Sequence, residues 1–297
     1  MFGIGIVIAL LFQDVNSAID RLIKDPLNTE AVAEIKASGV SAIPVIETRI
    51  FKTDVEVQRV LVRILGDIGD TSATETLLRL SNSESARLRA DIAHTFGKIR
   101  DRRATGRLIE LLSDVDDIPR GEAAWALGEI GDSSAIPALI SLTNDPVFTN
   151  RARALITLGK LRALSHIPNL DRFLSDPEAS VRIGMAMAID AAQDTSCFHY
   201  LEKLTRDKTP FVRIQTYKVI GKFRSDRVKS LLVAGLSDPH EGVRMQALEL
   251  LIGFNDPDLL PYIIRLKKDV SPAVRKRVNE LVKTLKTDVL LQGMIVV

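Results

Sequence analysis

A chain of 297 residues has room for two ordinary globular domains, and its 46% apolar share with only 5% aromatics describes a core filled by Ala, Leu, Ile and Val, as close-packed helices require. Its 40 basic and 38 acidic residues leave a formal charge of +2, which excludes an overall field for holding nucleic acid or an anionic surface. The single cysteine, Cys197, excludes an internal disulfide and any cysteine-built zinc cage, and fits a reducing cytoplasm.

Residues 1–13 open with MFGIGIVIALLF, well short of the roughly 20 apolar residues a spanning helix needs and without the basic start of a signal peptide. A capping or docking segment is expected there, ahead of an export signal or membrane anchor. From Asp14 to Lys24 the apolar positions Val15, Ala18, Ile19, Leu22 and Ile23 fall on one face of a helix, which Asp25-Pro26 breaks. A second helix, Thr29 to Ala37, ends at Ser38-Gly39, where glycine supplies a left-handed cap. Residues 14–39 thus form a terminal helix pair.

From Val40 onward the chain repeats. Glycines at 66, 97, 128, 159 and 221 fall on a 31-residue interval, within LGDIGD at Leu65, FGKIRD at Phe96, LGEIGD at Leu127, LGKLRA at Leu158 and IGKFRS at Ile220. Such a period marks a solenoid, whose units bury their apolar faces only against their neighbours. The units are 40–70, 71–101, 102–132, 133–163, 164–194, 195–225, 226–256 and 257 to about 287, and residues 288–297 are an apolar tail. Each supplies two helices. Ser133 to Asp145 shows the first, with Pro44, Pro137, Pro168 and Pro261 near its start, where a missing N–H costs little. Val181 to Ile189 shows the second, after an Asp-Pro turn such as Asp176-Pro177. The expected fold is all-α, an α-solenoid of about nine stacked antiparallel helix pairs.

Two polar columns run through the array. Asp114, Asp145, Asp176, Asp207, Asp238 and Asp269 occupy the inter-helix turn, and Arg120, Arg151, Arg182, Arg213, Arg244 and Arg275 follow six residues later. Arg89 extends the second column, while Gln58 departs from it. An Asp in a turn can cap the next helix, and a guanidinium can bridge to an Asp of the same or the adjacent unit, so the columns read as a structural ladder at a wet turn, worth about 0 to 1 kcal/mol per pair.

With DPxxxVR at Asp176 to Arg182 and Asp238 to Arg244, and ALGEIGD at Ala126 to Asp132, the repeats resemble HEAT repeats, in particular the short bacterial type found in phycobilisome lyases. The resemblance runs from Val40 to Leu285. It implies the fold and leaves the task open, since one solenoid serves many functions.

Enzymatic members of such families set the tests. A di-iron hydroxylase of this fold implies repeated His-Glu pairs on inner helices, and here the equivalent place reads Arg120-Gly121-Glu122. Only His240-Glu241 forms the dipeptide, in a turn, and His94, His166 and His199 do not match one another, so no metal site is expected. A DNA glycosylase implies a basic inner face with several aromatics, whereas Trp125 stands alone between Glu122 and Glu129. A bilin lyase is compatible with the repeats, though no residue identifies a bilin pocket. No phosphate-binding loop or Ser/His/Asp arrangement is present. No catalytic residue and no cofactor is assigned.

Counting five residues on from each arginine, the second helices present Arg63, His94, Trp125, Ile156, Met187, Lys218, Glu249 and Glu280 on the side that lines a HEAT solenoid's concave face. An apolar centre of Trp125, Ile156 and Met187, with Gly184 beside it open to close approach, lies between polar ends. The rim mixes signs, with Asp67, Asp91, Glu122 and Glu129 against Lys98, Arg153, Lys160 and Lys222. This pattern suits a protein or peptide partner better than nucleic acid. The bland reading is that the three apolar residues pack within their own units. The last unit is basic, with Arg265, Lys267, Lys268 and Lys276 among its cations, and together with the apolar termini it raises docking on an anionic membrane or an acidic partner. The expected function is a non-catalytic scaffold or adaptor, cytoplasmic with membrane contact as a further option. The alternative is a lyase-like enzyme that holds a prosthetic group in the groove.

Overall fold

The computed structural model describes residues 14–294, with side chains through residue 283. The apolar segment of residues 1–13 lies outside the described residues, and of the tail at 288–297 only helical backbone through Met294 is described. All of the described elements are α- or 3-10-helical. The chain divides after Pro168 into two compact units.

The first unit holds five helix pairs: α1 (residues 14–24) with α2 (Thr29–Ala37), α3 (Ile43–Arg49) with α4 (Val55–Ile68), α5 (Thr74–Leu80) with α6 (Ala86–Ile99), α7 (Thr105–Leu111) with α8 (Asp117–Ile130), and α9 (Ile136–Leu142) with α10 (Phe148–Lys160). The second helices α4, α6, α8 and α10 pack successively on one another. Their inward stripes are fully buried, as at Val57, Leu61 and Leu65 of α4 and Leu88, Ile92 and Phe96 of α6. This burial is the main stabilising term. The first helices α5, α7 and α9 each start through a 3-10 turn whose N-cap aspartate, Asp70, Asp101 or Asp132, accepts the N–H two residues on, from Ser72, Arg103 and Ser134, at 2.9–3.0 Å. The turn before it uses the left-handed region at Gly69 (φ 73°) and Gly131 (φ 75°), where glycine has no Cβ to clash.

The second unit holds α11 (Ala179–Ala192) and three complete pairs. A 3-10 segment, Leu170–Leu174, stands before α11, followed by α12 (Phe198–Leu204) with α13 (Pro210–Ile220), α14 (Asp226–Gly235) with α15 (Glu241–Ile252), and α16 (Leu260–Arg265) with α17 (Pro272–Met294). The α-solenoid class is thus met by antiparallel pairs stacked within each unit. One expected helix is missing: the first of residues 164–194 is replaced by two 3-10 segments, Leu164–His166 and Leu170–Leu174. Ala163 stands where Asp70, Asp101, Asp132, Asp194 and Asp256 cap the starting turns of other units, and where Ser225 caps α14, so this starting turn lacks its acceptor. Ile167, ahead of Pro168, is extended, as a residue before proline prefers, and Asn169 takes φ 52°. The break in regular helix coincides with the boundary between the units. At the other end, α17 continues through the point where the tail was expected to separate.

The aspartate and arginine columns are a buried ladder that reaches between pairs. Arg89, Arg120, Arg182, Arg213 and Arg244 each grip an aspartate 25 residues ahead, Asp114, Asp145, Asp207, Asp238 and Asp269, through two bonds of 2.6–3.2 Å. The remaining Nη1 of Arg182 donates to the carbonyls of its own turn, Asp176 and Pro177, at 2.8 and 3.1 Å, and Arg151 and Arg275 make the same bonds at Asp145-Pro146 and Asp269-Val270. Each aspartate also accepts the N–H two residues on, as from Glu178 to Asp176 and Thr209 to Asp207. The acid therefore braces its turn instead of capping the helix directly. Gln58 substitutes at its position by donating to the Ile50 and Thr53 carbonyls, both at 3.2 Å.

The ladder side chains are shielded from water, although the tips of their turns are exposed. The side chains of Arg182 and Asp207 are 3% and 5% exposed. Removing one partner of such a pair strands a buried charge, so Arg182→Ala is expected to lower the unfolding free energy by about 3 to 5 kcal/mol, while Lys203→Ala, from an exposed pair with Asp171, changes it by about 0.5 kcal/mol or less; urea titration reads both.

Burial alone pushes the Asp114, Asp145 and Asp238 carboxyls upward, but the guanidinium bonds and the accepted N–H overcome it and leave each below its ordinary value. At Asp269 the Arg244 bonds are the larger influence and the direction is the same. The unfolded chain, with aspartates near about 3.9, then binds more protons than the folded one at acid pH. Their contribution is complete above about pH 4 and lost as pH falls through the lowered folded values. The urea midpoint should hold level from neutral pH to that point and then drop, with a shallower acid limb in Asp269→Asn.

Candidate partner-binding face

In the first unit the outer sides of α4, α6, α8 and α10 form the candidate face. Along α8, Ile118, Glu122, Trp125 and Glu129 recur at helical spacing on one side. The register brings His94 of α6 against Trp125: the rings stack with centroids 4.5 Å apart and planes 12° from parallel. His94 Nδ1–H donates to Glu122 Oε2 at 3.0 Å, and Arg153 Nη1 of α10 donates to Glu122 Oε1 at 2.7 Å. Glu122 therefore ties three helices together.

The same pairing recurs along the face. Lys160 and Arg100 both reach Glu129 at 2.5 Å, Arg59 reaches Asp91 at 2.7 Å, and Asp67 accepts from Lys36 and Lys98. The Lys160 bond, with that of Arg100, outweighs burial and holds the Glu129 carboxyl below its ordinary value. At Asp67 burial acts first and upward, and the two lysines overcome it. The expected mixed rim is thus a set of bonded acids and bases, most of them 31 or 32 residues apart, in which Asp67 and Glu129 each hold two cations.

Trp125 is half-buried and belongs partly to the packing. Its Cζ3 lies where a Cβ on Gly97 would stand, 2.5 Å from that position, and the Ala126 Cα is 2.9 Å away. The recurring glycine is what lets the next second helix approach this closely; Gly66 meets Thr95, and Gly128 meets Thr157. An open depression of about 450 Å³ is lined by Arg63, Asp91, His94, Ile118, Trp125 and Arg153 among others. A second, of about 430 Å³, shares Arg63 and His94 with it and extends to Leu27, Val32 and Lys36.

Of the remaining predicted residues, Ile156 is half-buried on α10, while Met187 (46% exposed, on α11) and Lys218 (exposed, on α13) belong to the second unit. Gly184 is buried and does not open the backbone. In that unit the second-helix charges also pair, Lys222 with Asp190 and Arg277 with Glu249. Two residues escaped the sequence reading. Ile118 is 55% exposed and Phe148 38% exposed, seven and eight residues before Trp125 and Ile156. Helical spacing along each helix would have found them, because i, i+7 and i+8 share a face.

Among the described residues, no three His, Cys, Asp or Glu side chains are grouped as a metal site requires, and no helix is long and apolar enough to cross a membrane. His240 caps α15 by accepting the Gly242 N–H, and His199 bonds the Ser196 carbonyl. Cys197 is buried, and burial pushes its thiol up.

Stacked two-helix pairs with a bonded Asp/Arg ladder define a helical-repeat protein. The chain belongs to the HEAT-repeat family, whose pattern matches residues 43–127, 105–174 and 167–252. A comparison with curated proteins finds no match. Among solved structures, the chain is similar to one from the complex of CpcE and CpcF of phycocyanin lyase from Nostoc sp. PCC7120, with 20% identity, TM-score 0.51, and 82% of this chain and 94% of that one covered. It is also similar to YibA of Escherichia coli, with 17% identity, TM-score 0.55 and coverage of 82% and 96%. Human deoxyhypusine hydroxylase aligns at 19% identity and a TM-score of 0.39, over 88% of this chain and 99% of that one. The first two likenesses show the fold.

Gly97→Ala forces a Cβ against both the indole and the Ala126 backbone and is expected to lower stability by about 1 to 3 kcal/mol. Gly106→Ala on α7, where nothing lies within 4 Å, should be neutral or stabilising by up to about 1 kcal/mol, and thermal unfolding separates the two.

Proposed function

We propose that the chain is a non-catalytic interaction scaffold, and that the second-helix face of its first unit holds a protein or peptide partner. The observation that carries this reading is the pairing of the rim. With Glu122, Glu129, Asp91 and Asp67 each bonded to cations of neighbouring helices, the bases of the face alternate with engaged carboxylates and do not form the unbroken basic track that a phosphate backbone favours. What remains to be buried is apolar: Ile118, the His94–Trp125 stack, and Phe148 and Ile156 on the adjoining α10. An apolar centre with an aromatic anchor inside a ring of satisfied charges has the make-up of a protein interface. The pairs also favour binding over acid–base chemistry, since their carboxylates are engaged in holding helices together.

Trp125 is the single tryptophan, so its fluorescence reports on the face directly. Affinity capture with the wild-type chain and with Ile118→Glu or Phe148→Glu should lose the same partner in both variants at unchanged Tm, and adding that purified partner should shift wild-type Trp emission. Retention of the partner by both variants would remove this face from the reading.

A further inference from the structure

The ladder fixes more than the helix face. In the second unit, the bonds Arg182–Asp207, Arg213–Asp238 and Arg244–Asp269 set successive inter-helix turns side by side, so residues 206–211, 238–241 and 267–272 form one edge. Two apolar side chains stand out from it, Phe211 at 57% exposure and Val270 at 86%. Arg206, Lys208, Lys267 and Lys268 are exposed around them.

The edge is basic because its aspartates are spent. Asp207, Asp238 and Asp269 are each held by two guanidinium bonds and turned inward, which leaves Glu241 as the exposed acid among these three turns. The equivalent turns of the first unit are different, with exposed Glu56, Glu84, Asp116 and Asp117. The basic character thus belongs to these three turns of the second unit, while the turn before α11, joined to them through Arg182, carries the exposed acid Glu178.

We infer that this turn edge docks on an anionic lipid surface, with Phe211 and Val270 entering the headgroup layer and Arg206, Lys208, Lys267 and Lys268 set against lipid phosphates. A row of cations with protruding apolar tips combines the two signals that peripheral attachment needs, since each lysine adds modest attraction and a shallow apolar insertion supplies the rest. A folded acidic partner would have to offer pockets for two tips on separate turns, whereas the headgroup layer receives them at any spacing. This inference is independent of the partner proposed for the first unit.

Co-sedimentation of the full-length chain with vesicles of mixed phosphatidylcholine and phosphatidylglycerol, and with phosphatidylcholine alone, tests it. Binding is expected on the anionic vesicles, falling as salt rises, with little on the neutral ones. Lys267→Gln/Lys268→Gln should lower the partition coefficient about 30-fold, and Phe211→Ser/Val270→Ser should lower it several-fold, both at unchanged circular dichroism and Tm. The inference is overturned by equal binding to neutral vesicles, by no vesicle binding, or by binding that survives both variants and so runs through another part of the chain. Capture of polyglutamate in place of vesicles overturns it too, in favour of an acidic protein.

Discussion

The two-toothed bond between an arginine and the aspartate 25 residues ahead is the constraint on which the arrangement depends. Stacked faces of Ala, Leu and Ile attract without direction and would tolerate sliding by a turn. The ladder does not, because a buried guanidinium and carboxylate must each meet nearly all of their hydrogen-bonding capacity. Arg182 does so through two bonds to Asp207, one to Thr209 and two to its own turn's carbonyls, and Asp207 adds the Thr209 N–H. A shift of one pair against the next would leave those groups bare. The ladder's role is therefore to select one phase of stacking, even where apolar residues of equal volume could match its stability.

Phase at the turns becomes register on the second-helix face. Once neighbouring helices are locked, residues 31 apart face each other, and an acid in one unit meets a base in the next: Asp67 with Lys98, Glu122 with Arg153, Glu129 with Lys160. The glycine column adds closeness. At Gly97 and Gly128 the absent Cβ leaves room for Trp125 and Thr157 of the following helix. Charges brought so near satisfy one another, and the apolar residues between them are left as the surface with most to gain from a partner. The same interaction that orders the fold thus decides which part of its surface is unfilled.

The period, the two columns and the helix-pair architecture were legible in the sequence because each depends on a residue type recurring at constant spacing. The missing first helix at residues 164–174 was not, since Pro168 sits in the same register as Pro137 and the decisive change is Ala163 in place of a capping aspartate. The sign of the ladder's environment was also hidden, because a turn is wet or buried according to what packs on it. Reading the face through the fifth position alone found Trp125 and Ile156 but passed over Ile118 and Phe148, which lie along the helix axis. It also selected Met187, which stands 46% exposed on α11 of the second unit.

Composition set a limit that the structure narrows. Forty bases against 38 acids exclude a global field, but the count treats buried and exposed charges alike. In the ladder, acid and base cancel out of solvent's reach, so the charge that solvent or a partner meets is set by what remains at the turns and rims. Those positions are free of the fold's demands: Val115, Lys208 and Val270 occupy the same place in their repeats and differ in both charge and bulk. A repeat that secures its phase internally can vary its turn tips without loss of register, and a nearly neutral chain can in that way carry an acidic edge in one unit and a basic edge in the other.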